Sequence, residues 1–131
     1  MIWVTVLASG CATATQDLER ARKHYQDLDY PRSLALLRVL GDDEDALSPT
    51  ERVQYAFLRG MTDLKVAEGL PLSHPDRGAF RACGRDYLVS ALEQDAQNTG
   101  ALLEDQAVRA RKSLAALSDL DATPGACLPA R

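Results

Sequence analysis

Between residues 17 and 117, apolar side chains return every three or four positions, and proline, glycine and short polar runs separate the stretches they define. That is the period of an α-helix with one face in a core, and strand-like alternation is almost absent. Aromatic residues are only 5% of the chain while Leu and Ala abound, which favours helices packed through small and γ-branched side chains over a β-sandwich. With 131 residues, 46% of them hydrophobic, the chain has the material for one core. An all-α array of five antiparallel helices is expected, either a closed bundle or an open stack of hairpins.

The punctuation sets the expected boundaries. Leu18, Ala21, Tyr25 and Leu28 mark a first helix, and Pro31 starts a second, carrying Leu34, Leu37 and Leu40 on one face. Ser48, Pro49, Thr50 and Glu51 form a capping box that opens a third helix, with Val53, Ala56, Phe57, Gly60, Met61 and Leu64 as its buried positions. A fourth begins near Pro75 or Asp76, with Phe80, Cys83, Gly84, Tyr87, Leu88, Ala91 and Leu92 on one face. Leu103, Ala107, Ala110, Leu114 and Leu117 form a fifth. Gly60 and Gly84 each interrupt an apolar face, where Gly is about 1 kcal/mol less favourable than Ala, so close helix crossings are expected there.

The first eleven residues read differently. Residues 2–8 are an apolar run too short to span a bilayer, and they are followed by Ser9, Gly10 and Cys11. The segment from Leu7 to Cys11 resembles a bacterial lipobox, with Ala8 rather than an aliphatic residue three places before the cysteine. The resemblance implies lipid attachment at Cys11, and Ala12 after it implies the periplasmic face of the outer membrane. On this reading residues 1–11 are a signal segment, 12–16 a tether, 17–118 the helical domain and 119–131 a flexible tail. The alternative makes residues 2–10 the first turns of the first helix, with Cys11 an ordinary thiol of a cytoplasmic module.

The small residues carry a second resemblance. Ala21, Tyr30, Ser33 and Leu37 in the first helix pair, and Leu58, Gly60, Gly84, Leu88, Ala91 and Leu92 in the second, fall where tetratricopeptide units place small and large side chains. The run Asp95, Ala96, Gln97, Asn98 is similar to the terminator of such a unit, with Ala96 where proline is usual. The chain thus resembles two tetratricopeptide-like units and a capping helix. This implies a concave protein-binding groove lined by Arg22, Tyr25, Gln26, Phe57, Met61 and Leu64; core burial of Phe57, Met61 and Leu64 is the equal alternative.

Catalytic chemistry is hard to place. His24 and His74 lie in different elements, and neither has a nucleophile or metal ligand at recognisable spacing. The three cysteines form no Cys-x-x-Cys pair, so neither metal nor cofactor is expected. The acidic run from Asp42 to Asp45 lacks the alternation and the glycine of a calcium loop. A net charge of −4 with scattered basic residues argues against nucleic acid as a partner. The reading is therefore a non-catalytic adaptor that binds another protein or peptide and no small-molecule substrate, held to the membrane by a lipid on Cys11. In an oxidising compartment Cys83 and Cys127 are an even pair that invites a disulfide, unless Cys127 stays free or pairs with another molecule.

Overall fold

The computed structural model describes residues 10–120 and Cys127, with side chains from Thr13 onward. Five helices follow in order: α1 Gly10–Gln26, α2 Tyr30–Gly41, α3 Pro49–Glu68, α4 Arg77–Gln97 and α5 Glu104–Ala115. A 3-10 turn over Glu44–Ala46 precedes α3. There is no strand among the described residues, and the fold is all-α.

Local chemistry sets the helix ends. The α1 backbone closes with Asp29 N–H donating to His24 C=O at 2.8 Å and Leu28 N–H to Tyr25 C=O at 3.0 Å. This double closure puts Leu28 in the left-handed region at φ 62°. Asp29 then caps α2, its carboxylate accepting from Arg32 N–H at 3.4 Å, and Pro31 occupies the first turn. At α3 the capping box forms as expected: Glu51 N–H donates to Ser48 Oγ at 3.2 Å, and Ser48 N–H donates to Glu51 Oε1 at 2.9 Å. His74 lies just ahead of α4, accepting from Asp76 N–H through Nδ1 at 3.1 Å.

Two helix pairs and a closing helix build the interior. Leu18 and Ala21 of α1 pack with Leu37 and Leu40 of α2, and Tyr55 and Leu58 on one side of α3 complete that core. The other side of α3, with Val53, Phe57, Met61 and Leu64, packs with Leu88 and Ala91 of α4 and Ala107 and Ala110 of α5. Helix α3 is thus wrapped on both sides, and every residue from Tyr55 to Leu64 is buried. A layer of small side chains lets α1, α2 and α3 meet. Ser33 Oγ donates to Ala21 C=O at 2.9 Å, and Thr62 Oγ1 donates to Leu58 C=O at 2.7 Å.

Gly60 and Gly84 face each other across the α3–α4 crossing, as their positions on apolar faces predicted. A Cβ on Gly60 would lie 2.7 Å from Leu88 Cγ, and one on Gly84 would lie 2.7 Å from Leu64 Cδ2. Pairing Gly60 with Leu88 and Leu64 with Gly84 means that α3 and α4 run in opposite directions. The amides of Gln54 and Gln106 bond to each other at 2.8 and 3.1 Å, joining α3 to α5.

Three expectations change. Residues 12–16 are not a tether but part of α1, which begins at Gly10: Ala14 is buried beside Leu18, and Thr15 Oγ1 donates to Glu51 Oε2 at 2.7 Å. Ala14, Leu18 and Ala21 continue the helical spacing, but a single methyl group at Ala14 made the period easy to overlook. The tail is also held at both described points. Asp119 makes a two-pronged pair with Arg81, both contacts at 2.9 Å, and Cys127 is bonded to Cys83. The third is the groove, whose expected residues Phe57, Met61 and Leu64 are buried. Residues 1–9 of the expected 1–11 signal segment, the side chain of Cys11, and tail residues 121–126 and 128–131 lie outside the described residues.

Candidate functional site

Chemistry concentrates on the face where α2 and α4 flank α3. Apolar residues surround α3 through its middle turns, so the charged Arg59 and Asp63, one turn apart, enter the protein interior together. Arg59 Nε donates to Asp63 Oδ2 at 3.2 Å. Its guanidinium lies 4.8 Å from the Tyr87 ring centre, and Nη1 donates to the Tyr55 hydroxyl at 3.4 Å. That hydroxyl donates in turn to Leu37 C=O at 3.1 Å, tying the network to α2. The Tyr55 and Tyr87 rings meet edge to face at 6.1 Å.

Asp63 is satisfied on one side only. Its side chain is fully buried, and Oδ1 has no hydrogen-bond partner among the described residues. Burial therefore raises its carboxyl to about 6, against the opposing pull of Arg59 and, more weakly, Arg38. Burial acts in the other direction on Arg59, but Asp63 and the two tyrosine hydroxyls outweigh it and keep the guanidinium firmly protonated. The Tyr55 phenol is held neutral by burial, well above its ordinary range.

Beside this carboxylate stands a disulfide between Cys83 and Cys127, one of the alternatives the sequence left open. Cys83, on the inner face of α4, is joined to Cys127 with Cα atoms 4.9 Å apart. A carboxylate oxygen of Asp63 and the two sulfurs all lie within 4.8 Å of one another. This is the one cluster of metal-ligand type among the described residues. Bridged sulfurs carry no thiolate charge to offer a cation, and Arg59 bears on the same carboxylate. A cleft of about 480 Å³, lined by Arg38, Tyr55, Arg59, Tyr87, Gln94 and Cys127, opens on one side of the cluster. A second recess, of about 270 Å³, reaches Asp63, Phe80 and Cys83. Arg38 borders both and stacks on Phe80 at 5.9 Å.

The groove expected from the repeat resemblance is not where those residues placed it. Phe57, Met61 and Leu64 are core, packed in one cluster with Leu88 and Ala91 of α4 and Ala107 and Ala110 of α5; Ser113 of α5 reaches Met61 Sδ at 3.8 Å. Arg22 is half-buried, paired with Glu19 and 3.4 Å from Gln54 Oε1. Tyr25 stacks edge to face on Tyr30 at 5.3 Å, and Gln26 is exposed. The structure brings together Cys83 and Cys127 from the expected set and adds Arg59 and Asp63, which pattern reading passed over. Their signal was present: charged residues at i and i+4 inside a helix that is apolar all round must be paired indoors.

The fold defines an all-α protein of two packed helix pairs closed by a fifth helix. Comparison with family models, curated proteins and solved structures gave no match to this chain.

Proposed function

We propose that the protein is a non-catalytic adaptor of the bacterial cell envelope that binds an extended segment of a partner protein, tethered by a lipid on Cys11. The observation that carries the binding reading is the cleft between α2 and α4, about 480 Å³ in volume and rimmed by Arg38, Tyr87, Ser90 and Gln94. Tyrosine and arginine are the side chains that interfaces favour, because each offers a large contact area with a polar end. The two tetratricopeptide-like units remain part of this proposal, with the binding surface moved from the side that α5 covers to the opposite side of α3. A disulfide suits an oxidising compartment. With α1 beginning at Gly10, a lipid on Cys11 would hold the helix by its first turn, with no flexible spacer.

A photo-crosslinking residue placed at Ser90, in membranes carrying the full chain, should capture a discrete partner that the same residue at Arg111, on exposed α5 surface, does not. Equal adducts from both positions would remove the cleft from the reading. Labelled palmitate should enter the wild type and not Cys11→Ser; no incorporation in either would favour the soluble cytoplasmic module.

A further inference from the structure

We propose that Cys83 and Cys127 form an exchangeable redox pair, and that Asp63 carries the proton for its exchange with a dithiol. A buried carboxylate oxygen without a donor is costly, and native structures rarely keep one. Among the described residues Asp63 Oδ1 is such an atom, and the disulfide beside it has no hydrogen to give. Opening the bridge converts each sulfur into a group that can hold a proton, within 4.8 Å of that carboxylate. A small rotation of the freed Cys83 side chain toward Asp63 then supplies the donor that the oxidised state lacks.

The surroundings favour attack and departure. Arg59 on α3 and Arg38 on α2 both face Asp63, and a guanidinium nearby stabilises a thiolate leaving group. Asp76, ahead of α4, is the other charged side chain around the recess, and Cys83 enters it from α4 itself. Cys83 is buried while Cys127 is half-exposed, so an incoming thiolate meets Cys127 first. The two guanidiniums also make the cluster a poor host for a divalent cation.

The exchange balances as follows. One thiolate of the dithiol bonds to Cys127 Sγ, the bridge breaks, and its electron pair goes to Cys83 Sγ. Asp63, in its acid form, passes its proton to that sulfur and is reprotonated from solvent through the recess. The second thiolate of the dithiol then attacks its own sulfur in the mixed disulfide and expels Cys127, which takes a proton from water. The dithiol is oxidised by two electrons and the protein is reduced by two.

The test uses the intact oxidised chain and dithiothreitol, with free thiols trapped by alkylation and counted by mass spectrometry between pH 5 and 8. Rates divided by the dithiothreitol thiolate concentration should fall in the wild type as pH rises through about 6, where Asp63 loses its proton. Asp63→Asn should be slower by about tenfold or more at pH 5 and should lack that pH step, in keeping with the usual worth of a positioned acid. A wild-type profile without the step overturns the proposal even if Asp63→Asn fails to fold. Asp63→Asn reacting at the wild-type rate overturns it too, as does tight Zn²⁺ binding by the reduced wild type that Asp63→Asn abolishes with no change in exchange.

Discussion

A single hydrogen-to-methyl change reports how tightly this chain is packed at Gly60 and Gly84. Each glycine leaves room for a leucine from the facing helix, so a Cβ at either position collides with a buried, constrained side chain. Gly60→Ala and Gly84→Ala should each lower stability by about 1–3 kcal/mol in chemical denaturation, the usual range for overpacking. Gly78→Ala is the control: no described residue lies within 4 Å of its Cβ position, and the change should be neutral or mildly stabilising. Leu28 poses the opposite problem, being 71% exposed and held at φ 62°. Leu28→Gly should raise stability by up to about 1 kcal/mol, because the left-handed cost falls on every residue with a Cβ. A lower denaturation midpoint for Leu28→Gly would mean that the turn is held by something other than backbone geometry.

Among the elements, α3 organises the rest, and its first turn has an unusual clasp. Glu51 serves the capping box with one oxygen and receives the Thr15 hydroxyl from α1 with the other. The backbone bond from Ser48, followed by the bond from Thr15, holds its carboxyl below the ordinary carboxylate value. The stabilisation from Glu51 is therefore present at neutral pH and is lost as pH falls through that lowered value. Ser48→Ala should cost about 1 kcal/mol, and Thr15→Ala should soften the acid limb of the stability profile; a profile unchanged in Thr15→Ala would show that α1 is not clasped there. Helix α5 shows how one element can redirect function. Together with α4 it packs with Phe57, Met61 and Leu64 and turns what would have been a binding surface into core, while among the described residues a cleft remains on the α2–α4 side.

For the molecule as a whole, the network under that open side sets both the pH response and the chain closure. Asp63 holds a proton to about pH 6 when folded, against an unfolded value of 3.8, so the folded chain carries the extra proton between those values. Stability should accordingly decline as pH rises from about 4 to about 6, by at most about 3 kcal/mol at 1.36 kcal/mol per unit. Asp63→Asn should lack this decline in urea titrations at pH 5 and pH 7; the same slope in both proteins would assign it elsewhere. The bridge closes a loop with a sequence separation of 44 residues, and chain entropy gives such a closure up to about 4 kcal/mol. Cys127→Ser should therefore lower the denaturation midpoint of the oxidised protein while leaving that of the reduced protein unchanged.

The sequence by itself determined the five helices and most of their limits; the start of α1, at Gly10 rather than near Asp17, is the exception. Periodicity, Pro31, the Ser48–Glu51 box and the glycines act within a few residues of where they stand, and each of these local signals appears in the structure. It also pointed to the Gly60–Gly84 crossing, since a glycine on an apolar helix face usually has a packing reason, and it offered Cys83 and Cys127 as a pair. Only the tertiary structure decided which side of α3 is core. Phe57, Met61 and Leu64 look alike as groove or interior until α5 is placed, and that placement depends on contacts far apart in the chain. Asp63 shows the same division most sharply. Its spacing from Arg59 is written in the sequence, but its buried, half-satisfied state beside two sulfurs exists only once α2, α4 and Cys127 have closed around it.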